Sequence, residues 1–175
     1  ELNRVVPVIE NLSNKIRERN GQDAGSRVAI SVDTTRAEVA RAAVEAGADI
    51  VNDISGGTFS EEMLPAVASL GVHIVLMHIK GTPKTMQQLT DYEDLIGEVY
   101  RFLEERVNAA VAAGIDKSSI IIDPGIGFAK TYEQNLEILR ELERFKGLNC
   151  PILIGVSRKS FIGRILNRAE PKERV

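Results

Sequence analysis

Apolar residues recur along this chain in two rhythms, short runs of β-branched residues and longer stretches spaced three and four apart. The clearest run is Ile120-Ile121-Ile122, followed by Asp123-Pro124-Gly125-Ile126-Gly127-Phe128-Ala129-Lys130. Three consecutive β-branched residues mark a strand buried on both faces, as in a parallel sheet. Proline then stops the ladder by lacking an N–H, and the glycines let the backbone turn tightly and lie close to a ligand. Thr131 and Gln134 fit a capping box, so a helix starts there. This order puts Asp123 at the C-terminal end of a parallel strand, where α/β proteins bind their ligands.

The same alternation runs through the rest of the chain. Residues 1–20 read as a helix, with Leu2, Val5, Ile9, Leu12 and Ile16 at helical spacing and Pro7 either opening or kinking it. Gly21 to Ser26 reads as a loop. Val28 to Val32 is a short strand ending at Asp33, after which Thr35 and Glu38 suggest a second capping box. Ile50-Val51 runs into Asn52-Asp53, and Ser60 is placed to cap the next helix. His73 to Met77 leads into His78 and a polar loop, then a longer helix runs from about Glu93 to Ala113. Pro151 to Val156 is the last strand, running into Ser157-Arg158-Lys159-Ser160 and a helix through Leu166. Five strands thus begin near 28, 49, 73, 119 and 151, each followed by a helix. The spacing suits the roughly 30-residue unit of a (β/α)₈ barrel and suits a doubly wound sheet equally well.

Composition narrows the class. The 175 residues are 43% hydrophobic and 27% charged, which makes one domain with a real core. A net charge of −3 and a pI near 5.5 argue against a nucleic-acid surface, because no Lys/Arg cluster supplies the field. Cys150 is the single cysteine, so no internal disulfide forms and a reducing, cytoplasmic compartment is expected. Its place beside an apolar strand reads as an inert core thiol. No apolar run reaches membrane length.

Polar residues close all five strands: Asp33, Asn52, His78, Asp123 and the Ser157/Lys159 pair. In a barrel those ends converge on one mouth. Each has a plainer reading, as a turn former, a loop hydrogen-bonder or a charge complement, but their recurrence points to one pocket. Two carboxylates accept from the N–H groups of an amino-pyrimidine, an Asn donates and accepts, and a Lys donates to a ring oxygen or nitrogen. Carboxylates beside Lys159 are expected to keep it charged. A metal site at His78 is not expected without a second histidine nearby.

Ser31-Val32-Asp33-Thr34, Val51-Asn52-Asp53-Ile54, Leu76-Met77-His78 with Gly81-Thr82-Pro83-Lys84-Thr85-Met86, Asp123-Pro124-Gly125-Ile126-Gly127-Phe128, and Gly155-Val156-Ser157-Arg158-Lys159-Ser160 together resemble the dihydropteroate synthase family. The resemblance covers essentially the whole chain. It implies a TIM (β/α)₈ barrel of folate biosynthesis that joins 6-hydroxymethyl-7,8-dihydropterin diphosphate to p-aminobenzoate, with Mg2+ as cofactor and a homodimer as the common assembly. By this resemblance Asp33, Asn52, Met77, Asp123, Gly155 and Lys159 hold the pterin. Phe128, Lys159 and Ser160 border p-aminobenzoate, and Lys159, Asp33 and Asp123 are the catalytic set.

Two departures from the family pattern stand out. Ala129 replaces the glycine that usually precedes the lysine of the turn. The family's first two strands, with the Asn that binds Mg2+, and its last strand, with the diphosphate-binding Arg-x-His, have no counterpart in residues 1–175. About five of eight units are therefore expected here, from a protein of about 270 residues, near the usual barrel size. A pterin-dependent methyltransferase is the alternative enzyme, because its pterin barrel uses a similar Asp/Asn pocket. An inert pterin-binding fragment is the alternative of another class.

Overall fold

The computed structural model describes residues 1–20 and 28–174. Four short strands form one parallel sheet in chain order: β1 (Ser31–Asp33), β2 (Ile50–Asp53), β3 (His73–Met77) and β4 (Ile120–Asp123). The helices are α1 (Leu2–Asn20), α2 (Ala37–Glu45), α3 (Met63–Leu70), α4 (Leu95–Ala112), α5 (Tyr132–Arg140) and α6 (Ser160–Leu166). A doubly wound sheet reverses its strand order at a switch point. Here no reversal occurs, and α1, α2, α3 and α4 touch one another in succession as a single layer. The arrangement is an arc of a TIM barrel.

Register and pleat assign the two faces. Residues paired across a parallel ladder point the same way, and successive residues alternate. Val32, Val51, Asp53, Ile74, Leu76, Ile120 and Ile122 therefore share the helix-facing side, and all seven are buried. They meet Ala40, Ala43, Val67, Val99 and Leu103 from the helices in one apolar core. Each such aliphatic side chain stabilises the fold by about 1.5–3 kcal/mol when fully buried. Asp33, Asn52, Val75, Met77, Ile121 and Asp123 point to the opposite side, the barrel interior.

Several expectations are corrected. Ile121 is only half-buried, because it lies on the interior face and not between two packed layers. The fifth strand, expected over Pro151 to Val156, is a single parallel bridge, Ile122 with Ile152. Ile122 N donates to Pro151 O at 2.9 Å and Leu153 N donates to Ile122 O at 2.8 Å. The ladder stops there because Pro124 has no N–H and Gly125 N is already bonded to the Asp123 side chain. The first strand is shorter than Val28 to Val32, since the ladder begins at Ser31.

The helix starts differ too. Of the caps expected from sequence, the Thr131–Gln134 box forms, with both reciprocal bonds. The Thr35–Glu38 box does not: Arg36 occupies the N-cap, its N–H bonded to Thr34 Oγ1 at 3.2 Å, and its guanidinium pairs with Glu38. Ser60 is not the cap of α3; its carbonyl accepts from Met63 N at 3.0 Å while Glu62 holds the N-cap. Pro7 lies within α1 and does not open it. The stripe that α1 turns inward is Val5, Ile9, Ser13 and Ile16, with Leu2 and Leu12 exposed, because Ser13 is set against Gly47 at the end of α2. The loop expected over Gly21 to Ser26 lies outside the described residues.

Candidate functional site

The interior face ends in polar side chains because each strand stops where its sequence turns polar. Asp33 and Asn52 are register partners on β1 and β2, and Asn52 Nδ2 donates to Asp33 Oδ1. Met77 and Asp123 are partners on β3 and β4, two residues further along. Two strand spacings and two residue rises separate the Asn52 and Asp123 backbones by about 12 Å, room for a flat bicyclic ring between their side chains. Met77 lies on this same face and is 3% exposed. The neighbouring Asp53, on the helix face, is structural. Its carboxylate accepts from Ser55 N (2.8 Å), Ser55 Oγ (2.6 Å) and Gly57 N (3.0 Å), and burial raises its pKa.

The turn after β4 carries the densest polar network. Asp123 is 7% exposed, and its Oδ1 accepts from Gly125 N at 2.7 Å. Gly125 has φ +75°, and a β-carbon there would collide with the backbone oxygen of His78, so only glycine fits. His78 N in turn donates to Asp123 O at 2.9 Å. Further along, Asn135 Oδ1 accepts from Gly127 N at 2.6 Å and Tyr92 Oη donates to Ala129 O at 2.9 Å. Ala129 takes φ +50° with its side chain buried, which explains why glycine suits that position. The loop after β3 is fastened here as well, Gln134 Nε2 donating to Thr90 O at 2.8 Å.

Lysines border this turn from two sides. Lys159 Nζ stands 4.1 Å from the centre of the Phe128 ring, a cation–π contact, and its chain lies against Gly127. Arg158 before it has φ +61°, a left-handed conformation that costs a non-glycine residue about 1–2 kcal/mol. Such strain is retained where it aims a neighbouring group. Ser160 opens α6 and is exposed, as is Gly155, which has open space on its side-chain side. The second lysine, Lys130, has no distinguishing signal in the sequence. It is 5% exposed, with Nζ donating to His78 Nδ1 at 3.0 Å and to Phe128 O at 2.9 Å.

Burial dominates the electrostatics. It raises the Asp123 pKa, against the opposing pull of the Gly125 N–H and of Lys130 and Lys159. It also lowers the Lys159 pKa, while Asp123 beside it acts in the opposite sense and favours the charged form. It drives Lys130 down to about 7 and, helped by Lys130 and Lys80, His78 to about 2. His78 is therefore neutral, and its Nδ1 lone pair accepts from Lys130. Cys150 is buried with a raised pKa, as an inert core thiol should be. Among the described residues no three His, Cys, Asp or Glu side chains group to hold a metal ion. Nor is any described helix long and apolar enough to cross a membrane.

Comparison with known proteins adds four findings. The family model described as pterin binding enzyme matches residues 1–175. A dihydropteroate synthase of Synechocystis sp. is 53% identical over 175 residues, covering all of this chain and 57% of its own length. The crystal structure of dihydropteroate synthase from Stenotrophomonas maltophilia with active-site-bound imidazole superposes with a TM-score of 0.90 at 45% identity, over 99% of this chain and 62% of that one. The Xanthomonas albilineans dihydropteroate synthase in complex with 7,8-dihydropteroate gives 0.86 at 42% identity, over 99% and 58%. The chain thus spans somewhat more than half the length of each of these three relatives.

Proposed function

The chain belongs to the pterin-binding enzyme family, and from that premise we propose that it supplies the pterin half of a dihydropteroate synthase. The observation that carries this reading is the interior row itself, Asp33 bonded to Asn52 on one side and buried Asp123 with Lys159 over Phe128 on the other. Asp123, Asp33 and Asn52 match the donor and acceptor pattern of an amino-pyrimidinone edge, and Lys159 has a proton to give to its oxygen or ring nitrogen. Met77 and Gly155 line the slot. Phe128, Lys159 and Ser160 border the arylamine, a role supported by the contact of Lys159 with the Phe128 ring and by Ser160 following Lys159 at the start of α6.

The reaction proposed joins 6-hydroxymethyl-7,8-dihydropterin diphosphate to p-aminobenzoate. The methylene C–O bond breaks with both electrons leaving on diphosphate. The amine nitrogen then bonds to the methylene carbon and loses its proton, giving 7,8-dihydropteroate. Preorganised carboxylates at Asp33 and Asp123 favour the developing cation. Holding both partners in one pocket supplies proximity. The described residues do not group to hold Mg2+; we propose it as a companion of the diphosphate, held by groups other than these. A cytoplasmic homodimer is likewise proposed, supported by the lone buried Cys150 and by Ile165 and Leu166 exposed on α6.

The test is product formation by the full-length protein from the two substrates. Asp123→Asn keeps an acceptor for Gly125 N and removes the charge, and is expected to cut turnover by about a hundredfold, the scale of losing one preorganised electrostatic group. Lys159→Met should do similarly. Turnover only as methyl transfer to a corrinoid, with none from p-aminobenzoate, would refute the reading.

A further inference from the structure

Lys130 is the one lysine among the described residues that is almost wholly buried, and the reaction proposed above does not use it. A buried ammonium is unfavourable unless its protons are engaged. Here two go to His78 Nδ1 and Phe128 O, which ties the end of β3 to the turn after β4 across 52 residues of sequence. Gly125 passes close beside it, a β-carbon there lying 3.3 Å from Nζ. Of the charged groups acting on Lys130, Asp123 has the largest influence. The ring of His78 is itself fixed edge-on against Phe102 of α4, centroids 5.0 Å apart.

We infer that Lys130 is a positioning residue of the pocket: it braces the turn that carries Asp123 and Phe128 against His78, and it supplies the positive charge that keeps Asp123 ionised for the ligand. This rests on the pterin reading of the site. The groups facing Lys130 are Asp123 from β4, His78 from the end of β3, Lys80 from the loop after β3 and Lys159 from the segment before α6. Lys80 is paired to Glu98 of α4 at 2.8 Å, and burial keeps the hydroxyl of Tyr92, beside them, protonated. His78 is neutral. Asp123 is thus the single buried anion in the group, and the two lysines next to it oppose each other's charge while stabilising its own.

A merely structural lysine and a charge-supplying one differ in how their loss depends on pH. With a pKa near 7, Lys130 is cationic in mild acid and largely neutral in mild base. Lys130→Met in the full-length protein, titrated calorimetrically with 6-hydroxymethylpterin, should weaken binding about tenfold near pH 6 and less than about threefold near pH 8.5. Equal loss at both pH values, or none at either, overturns the inference. Should the variant not fold, the wild-type protein decides. The carboxyl-carbon NMR resonance of Asp123 should step as Lys130 titrates near neutrality, and a flat trace overturns the inference. Wild-type protein that binds no pterin at any pH refutes the pterin reading instead, and the NMR step still decides whether Lys130 controls Asp123.

Discussion

Substituting Gly125 by alanine isolates the contact on which the site turn depends. Two penalties act at this position. The first is conformational: φ is +75°, and the left-handed region costs an L-residue about 1–2 kcal/mol. The second is steric, because the new methyl falls on the backbone oxygen of His78, which cannot rotate away as a side-chain tip could. Forcing an extra carbon into a packed site adds about 1–3 kcal/mol, so Gly125→Ala should cost about 3 kcal/mol or more in total. Gly71 supplies the control. It ends α3 at φ +64°, with nothing within 4 Å of where a β-carbon would stand. Gly71→Ala should therefore show the conformational part alone, about 1 kcal/mol. In urea melts of the full-length protein, with a slope of about 2 kcal/mol/M, the two midpoints should fall by about 1.5 M and 0.5 M. Equal midpoint shifts would refute the claim that the His78 carbonyl closes down on Gly125.

Two further outcomes follow from the same network. Ala129→Gly should be neutral to mildly stabilising, by under about 1 kcal/mol, because relief at φ +50° offsets the entropy glycine gains when unfolded; the equally buried Ala110→Gly in α4 should cost about 1 kcal/mol, and equal losses in the two melts would contradict this. His78, held near a pKa of about 2 by burial and by Lys130, stays neutral in the fold while the unfolded chain takes up a proton below 6.5. Its stabilisation is complete above that value and falls as the solution is acidified, by up to about 1.4 kcal/mol per pH unit. Urea melts stepping from neutrality to mild acid check it, and a profile no steeper than that of His78→Asn would refute it.

Much of this site was legible in the strand ends. Ile120-Ile121-Ile122 before Asp-Pro-Gly placed Asp123 correctly because β-branched runs and proline act locally. The chain order of the strands was not legible, since periodicity carries no information on which neighbour a strand pairs with; the register of Asp33 with Asn52 and of Met77 with Asp123 resolved it. The Thr35–Glu38 box does not form because the helix starts one residue later, with Arg36 extended at the N-cap and the Glu38 carboxylate paired to its guanidinium, an outcome decided by backbone angles and not by spacing. Lys130 carries no sequence signal of burial, because a lysine after a glycine-rich turn ordinarily reaches solvent. What buries it is His78, which approaches only in three dimensions. Asn135, which holds Gly127 N, gave no more signal than any polar residue in a first helical turn.

Titration calorimetry of the full-length protein with 6-hydroxymethyl-7,8-dihydropterin diphosphate, for wild type and Asp123→Asn side by side, bears most directly on the pterin pocket. The expected result is binding by the wild type that strengthens with added Mg2+, and a loss of about tenfold or more in the variant, the scale of a hydrogen bond to a charged group. Binding of equal strength in both proteins would contradict the assignment of the ligand to the interior face that Asp123 shares with Asn52 and Asp33.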